Sequence, residues 1–447
     1  MRNNTVSGGC NDQRWREGLE KESLATILQE EGYVTMFGGK YLNQYGRADQ
    51  GGLRHVPPGW DWWLGLVGNS KYYNYTLSVN GKPEHHGDNY TRDYLTDVLR
   101  RHSVRFLDSF YNNPHRGDSP FFMMLAPPAC HSPFTPAPGN QDRFPNMTAP
   151  RTEIFNRDTS RDPAKHWLMM TPPRQMSAAT VARVDQLFQD RWRTLLSVDL
   201  MISKIVETVR SYNMMDNTYF IFTSDNGYHM GQFAMPLDKR LPYEFDVRVP
   251  FWMSGPGIRP SQVVTPVLNI DIAPTLLDLA GVDTGAQRDM DGLSVIPLVR
   301  TNISQPSDED NEVVRVVNET SLEGPQSIIN NYTGIQGRHN FLIEYSGEGS
   351  ARTSDQSCEG QLHGDLGNLS QCSKEFDCKC QDARNNTYTC LRSLGQEDSV
   401  FCQFEDSANF IEMYNLAQDK LQIVNLAKEI SKKTIDFYKV KTTGINL

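Results

Sequence analysis

NTYFIFTSDNGYHMGQF, Asn217 to Phe233, sets an apolar run directly against a polar end. Tyr219 to Phe222 reads as a buried strand, and Ser224-Asp225-Asn226-Gly227 closes it. Asp, Asn and Gly favour turns because they bond their own backbone or tolerate positive φ. A turn alone would account for them. A site is the sharper expectation, since ligands of open α/β sheets collect beyond the carboxyl ends of the strands. Asp225 and Asn226 also offer the hard oxygens that Ca²⁺ or Mg²⁺ takes.

The same texture recurs along the chain. Tyr33 to Phe37 reads as a strand ending at Gly38-Gly39-Lys40, and Pro120 to Ala126 as one ending near His131. Val249 to Gly255 follows as a fourth strand. Between them lie amphipathic stripes: Leu24, Ile27 and Leu28, closed by Gly32; then Leu95, Val98, Leu99 and Phe106; then a long helix over about 181–212. Asn269 to Gly281 reads as a helix with Pro274 in its first turn and Gly281 at its end. Strands apolar on both faces, alternating with helices, predict an α/β fold with a mostly parallel sheet sandwiched by helices. Beyond about residue 290 turns and cysteines dominate, with one clear strand from Asn340 to Gly347 and a short helix expected to follow Glu412–Ala427. The expected division is therefore a catalytic α/β domain over 1–290 and a smaller C-terminal α+β subdomain over 291–447.

The chain has 447 residues and a net charge of -10, which argues against a nucleic-acid partner. No apolar run reaches the length of a membrane span, and "MRNNTVSGGCNDQRW" has no apolar core of a signal peptide. Other features look secretory. Nine N-x-S/T sequons occur, at Asn3, Asn74, Asn89, Asn146, Asn302, Asn318, Asn331, Asn368 and Asn385. Cys358, Cys372, Cys378, Cys380, Cys390 and Cys402 crowd into an insert over 358–402. Their even number fits three disulfides, of open pairing, better than a zinc site, because no paired C-x₂-C spacing is present. A secretory interior without an export signal predicts further sequence ahead of Met1.

Lys40, His131 and Asp225 with Asn226 stand at the ends of successive strands, and Lys239 follows the third. Two lysines, a histidine and two metal-type oxygens suit a divalent cation and an anionic group. Singly each has a plainer reading: Lys40 as a loop lysine, His131 as a turn cap, Lys239 as part of a solvated charged run. Their repetition at strand ends favours a joint site.

The blocks GGKYLNQYG, PPGWDWWLGLVGNSKYYNYTL, ACHSPF, KHWLM, RWRTLLSVD, TSDNGYHMGQF, DKRLPYEFDVRVP and NIDIAPTLLDLAG resemble the sulfatase family, in its order, from Met1 to about Ala427. The resemblance implies an alkaline-phosphatase-like fold and a sulfuric ester hydrolase. Its likeness to one branch implies removal of 6-O-sulfate from N-acetylglucosamine residues of heparan or keratan sulfate, in a lysosomal setting. An extracellular heparan 6-O-endosulfatase and a non-catalytic glycan-binding protein are the alternatives. By the resemblance Asp225 and Asn226 ligate Ca²⁺, Lys40 and Lys239 bind sulfate oxygens, and His131 contacts the ester or protonates the leaving alcohol. Asn43, and His229 either as a substrate contact or as a plain loop histidine, complete the candidates. A homodimer is also compatible with it.

The family's nucleophile is a formylglycine made from the cysteine of C-x-P-S-R, and no cysteine here lies in that motif. Cys10-Asn11-Asp12-Gln13-Arg14 and Cys380-Gln381-Asp382-Ala383-Arg384 have the arginine but neither proline nor serine. The family's Asp-Asp strand end, which completes the calcium site, is missing too. The chain as written is therefore expected to be inactive, to hold Ca²⁺ poorly, and to expose strand edges that aggregate.

Overall fold

The computed structural model describes residues 12–161, 164–258, 260, 263–282, 290–300, 338–348, 355–359, 369–395 and 398–444. Cys10 and the sequons at Asn3, Asn302, Asn318, Asn331 and Asn368 lie outside these. The chain forms two compact units, one of residues 1–148 and 185–218, the other of 149–184 and 219–447. Residue 290 thus falls inside the second unit.

The first unit is built on a five-stranded sheet: β1 (Val34–Lys40), β2 (Trp62–Leu66), β3 (Tyr75–Val79), β4 (Lys82–His86) and β5 (Phe121–Ala126), in the order β4-β3-β2-β1-β5. β1 runs parallel to both neighbours, while β2–β3 and β3–β4 are antiparallel. The parallel core is the expected one, and the antiparallel flank extends it. Asn80 and Gly81, both at positive φ, make the two-residue turn between β3 and β4.

Helix α1 (Leu24–Glu30) starts at Ser23, whose hydroxyl accepts from the Thr26 amide, and ends with Gly32 at φ 83°. Helix α2 (Leu95–Tyr111) buries Leu95, Val98, Leu99, Phe106, Leu107 and Phe110. Leu99 reaches the bare face of Gly38 on β1, where an added Cβ would meet Leu99 and Leu125 each at 3.2 Å. Helix α3 (Ala178–Ser211) is the long one expected, and its residues from Asp185 onward belong to this unit.

The second unit holds an antiparallel pair, β6 (Phe220–Thr223) with β7 (Phe251–Ser254). The fourth expected strand therefore runs against the third rather than along it. Helix α4 (Ile272–Leu279) matches the expected one, with Gly281 at φ 71° just beyond it. A second sheet is antiparallel throughout: β8 (Asn340–Tyr345), β9 (Tyr388–Ser393), β10 (Ser399–Phe404) and β11 (Ile411–Asn415), ordered β11-β10-β9-β8. A C-terminal helix, Lys432–Gly444, does follow Ala427.

The six insert cysteines form three disulfides: Cys358–Cys380, Cys372–Cys378 and Cys390–Cys402. The last joins directly opposed residues of β9 and β10. The core beside them gathers Leu168, Met169, Phe233, Tyr243, Tyr388 and Tyr414. Lys165, fully buried, lies over the rings of Phe233, Tyr243 and Tyr414 at 4.3, 4.5 and 4.4 Å. Its ammonium donates to the Tyr414 hydroxyl, which donates in turn to Glu412. The aromatic faces and this relay supply the desolvated cation with compensating electrostatics.

Candidate active site

In the first unit the site residues stand at the carboxyl end of the parallel pair β1–β5. Gly39 lies opposite Ala126 in the ladder, and an added Cβ would sit 2.0 Å from the Ala126 carbonyl oxygen. Its φ of 118° is one that side chains rarely adopt. The Gly-Gly pair before Lys40 is thus required by close strand packing and a special backbone conformation. It delivers Lys40, half-buried, at the strand's last position.

The loop after Lys40 carries Asn43 and is held by aromatic packing. Trp63 on β2 stacks on Phe37 at 4.8 Å, and its indole N–H donates to the Tyr45 hydroxyl at 2.7 Å. Tyr41 packs edge-on to Trp63 at 5.2 Å.

His131 lies five residues beyond β5, on the same side of the sheet as Lys40 by the parallel pairing. The buried Tyr72 hydroxyl donates to the His131 carbonyl at 2.9 Å, and Arg191 donates to the Cys130 carbonyl at 3.0 Å. Imidazole Nδ1 lies 2.8 Å from the Ser132 carbonyl oxygen. A carbonyl only accepts, so the ring proton is on Nδ1 in the neutral form, and Nε2 is then the basic nitrogen. Cys130, half-buried, has no disulfide partner among the described residues.

The second unit holds Asp225, Asn226, His229 and Lys239. Gly227 donates its amide to the Asp246 carbonyl at 2.8 Å, and a Cβ there would sit 2.4 Å from the Phe245 carbonyl oxygen. That approach sets the chain just after the strand end. Asp225 is exposed and Asn226 half-buried; the Asn226 amide group donates to the Gly227 carbonyl at 2.7 Å. This turns its donor side inward and leaves an oxygen for a cation.

The donor chemistry fits Ca²⁺, but the count does not. Such sites take six to eight oxygens, and no group of three or more acidic, His or Cys side chains among the described residues is placed to hold a metal ion.

His229 is fully buried. Its Nδ1 lies 2.9 Å from Asp246 Oδ2 and its Nε2 3.3 Å from Gln381 Oε1. That Gln381 oxygen also accepts from the Leu237 amide at 3.2 Å, so it is an acceptor toward the ring as well. Acceptors at both nitrogens favour the protonated ring, while burial at the same time raises the Asp246 carboxyl above its ordinary value. Burial pulls the His229 pKa down, but the Asp246 carboxylate outweighs burial and raises it above the ordinary value. Both ring nitrogens of His229 are engaged by Asp246 and Gln381.

Lys239 and Arg240 are adjacent cations with different fates. Arg240 pairs with Asp238, with Asp382 at 3.3 Å and with Glu348 at 3.7 Å. Lys239 is half-buried, and its ammonium makes no hydrogen bond or ion pair among the described residues. Burial lifts the Asp382 carboxyl to about 7, with Arg240 pulling the other way. Gln381 and Asp382, next to Cys380 in the insert, thereby brace the segment that carries Lys239. The sequence reading missed both. They lie more than 140 residues beyond that segment, and no local pattern marks them.

A family model described as Sulfatase matches residues 2–282. The chain belongs to the sulfatase family. N-acetylglucosamine-6-sulfatase of Homo sapiens is 42% identical over 436 residues, which cover 97% of this chain and 71% of that protein. An extracellular sulfatase SULF-1 homolog of Drosophila melanogaster is 39% identical over 297 residues, covering 66% of this chain and 25% of that protein. A solved sulfatase-fold structure, described as a complex with its substrate D-glucosamine-2-N,6-O-disulfate, superposes with a TM-score of 0.64 at 19% identity. It covers 95% of this chain and 82% of that one, and at this identity it speaks for the fold alone. Lys40, His131, Asp225, Asn226 and Lys239 all lie within the matched residues.

Proposed function

We propose that this sulfatase acts on 6-O-sulfated N-acetylglucosamine in glycosaminoglycan breakdown, in a lysosomal setting. The observation that carries the reading is the 42% identity to N-acetylglucosamine-6-sulfatase, which runs through the cysteine-rich insert as well as the α/β region. The similarity to the extracellular sulfatase stops at two thirds of the chain, so the endosulfatase reading is second. Among the described residues no helix is long and apolar enough to cross a membrane. The reading needs one chain and invokes no homodimer.

The residues divide the work by chemistry. Cleaving a sulfate ester moves negative charge onto the transferring group and the leaving oxygen. Lys40 and Lys239 bind sulfate oxygens, the Lys239 ammonium making no close ion pair among the described residues. His131, protonated, is placed to give its proton to the leaving sugar oxygen once a nucleophile attacks sulfur, and Asn43 orients the sugar. Asp225 and Asn226 supply two oxygens of the kind Ca²⁺ takes, fewer than such a site needs. No cysteine of the given sequence lies in the formylglycine motif, so the roles assigned to these residues are substrate binding and charge stabilisation, and binding without turnover is the expected behaviour of this sequence on its own.

Titration calorimetry with N-acetylglucosamine 6-sulfate and with N-acetylglucosamine tests this reading. The expected result is heat only from the sulfated sugar, lost in Lys239→Ala, and no sulfate release on long incubation. Equal binding of the two sugars would overturn the proposed specificity. Sulfate release by this chain would overturn its assignment as binding-only.

A further inference from the structure

Two adjoining clefts in the first unit lie away from every residue assigned above. One, of about 300 Å³, is lined by Arg92, Arg101, His102 and Arg105, with Glu84 and His86 on its wall. The other, of about 470 Å³, is lined by Arg100, Arg101, Arg105 and Lys204, with Glu207 beside the lysine. They share Arg101 and Arg105, so they form one open groove along α2, continued by the face of α3 that carries Lys204.

The charges here are not all neutralised. Glu207 pairs Lys204 at 2.6 Å, and Asp97 lies 3.5 Å from Arg100. Glu84 and Asp93 face His86 at 2.9 and 3.4 Å, and Arg92 stands 4.0 Å from Asp93. Arg101 is held instead by backbone: its guanidinium donates to the carbonyls of Thr91 and Arg92 at 3.3 and 2.6 Å. It is thus ordered without a counter-ion. Arg105 is exposed and makes no ion pair or hydrogen bond among the described residues. Arg101 and Arg105 are four apart on one helix face, a like-charge spacing that slightly destabilises a helix. In a chain of net charge -10 such a cluster is out of character. The half-buried His102 between them has its pKa lowered, by burial first and by the two arginines against Glu84.

We infer that this groove is a second, non-catalytic binding site for a linear sulfated polysaccharide. Guanidinium forks match sulfate oxygens in pairs, and an open groove admits a chain longer than one sugar. Neither cleft is lined by Phe, Tyr or Trp, so it lacks the stacking platforms of a single-strand nucleic-acid site. The inference rests on the proposed substrate class. The groove would hold a polymer while its end is processed elsewhere.

The test measures binding of the whole chain to a fluorescent heparin dodecasaccharide at several salt concentrations. N-glycans are trimmed first, because the Asn89 sequon ends at Thr91, on the cleft wall. An Arg101→Ser/Arg105→Ser double variant should lose affinity at least about tenfold and reduce the salt slope by about two. Arg101→Lys should lie between, having charge without the fork. Far-ultraviolet circular dichroism and melting confirm that each variant folds. Unchanged affinity in the double variant would overturn the site. An equal, equally arginine-dependent affinity for single-stranded DNA would overturn the polysaccharide assignment. The Lys40→Ala/Lys239→Ala variant separates the two proposals. It should keep dodecasaccharide binding while losing the sulfated monosaccharide, and loss of the dodecasaccharide there instead would sink the second site.

Discussion

Replacing Asp246 by Asn tests whether His229 is a buried imidazolium. The side chains are nearly isosteric, so packing is spared and only charge and hydrogen bonding change. In the native site Asp246 accepts from His229 at 2.9 Å and from the Leu241 amide at 3.0 Å. An asparagine can keep the Leu241 bond with its oxygen. Its amide group then faces Nδ1 and requires an unprotonated nitrogen there, while Nε2–H still donates to Gln381. The variant therefore admits only a neutral ring.

The sign of the pH effect follows. The native His229 has a folded pKa above its ordinary 6.5, so its contribution is fully present below that value and lost as pH rises through the raised one. In Asp246→Asn the folded pKa falls below the unfolded one, and stability is lost as pH drops. At pH 5 keeping the ring neutral costs about 2 kcal/mol, from roughly 1.5 pH units at about 1.4 kcal/mol each. Loss of a charge-assisted bond adds about 1 kcal/mol at either pH. Urea unfolding of the disulfide-intact chain at pH 5 and pH 8 reads both terms. The destabilisation should be larger at pH 5 by at least about 2 kcal/mol. An equal destabilisation at the two pH values would refute the imidazolium.

Gly39→Ala should cost more than about 3 kcal/mol and disrupt the parallel pair, because its Cβ meets a carbonyl on a neighbouring strand; an unchanged melting temperature would remove the backbone argument for Lys40. Asp382, with a carboxyl raised to about 7, contributes stability that is present below 3.8 and lost as pH rises through about 7. Asp382→Asn should therefore flatten the stability profile between pH 4 and 8, and a profile parallel to the native one would count against it. Cys390→Ser with Cys402→Ser opens a link between residues 12 apart and should cost about 3 kcal/mol by urea unfolding; a loss below about 1 kcal/mol would mean that the β9–β10 ladder needs no cross-link.

Strand ends were the legible part of this sequence. An apolar run stopping on glycine, histidine or a carboxylate marks β1, β5 and β6, although only β1 is buried along most of its length; β5 and β6 each leave an apolar side chain exposed. The helices were legible from their stripes and terminal glycines. What escaped were β2 to β4, although YTLSV-Asn80-Gly81 carries both the alternation and the turn pair of a hairpin. The aromatic density of GWDWWLGL hid its alternation there. β9 to β11 escaped because cysteines and turns drew the reading toward loops. The antiparallel sense of β7 is not a local property at all. On the site side, charged residues could be found one by one. Their partition into Arg240, locked by three carboxylates, and Lys239, which makes no close ion pair among the described residues, depends on residues brought from the far insert.

The edge strands set a limit on how the protein can be handled. Among the described residues β5 pairs only with β1, and β6 only with β7. FFMMLA and FIFT contain no lysine or proline to blunt those edges, and Met124 and Phe222 are 47% and 41% exposed. Two copies meeting edge to edge would satisfy backbone groups that water otherwise serves. Folding is first order in chain and such pairing is second order. Were those edges to pair between copies, dilution would shift the partition toward the monomer and crowding toward the associated form, with no change in any contact inside the folded units.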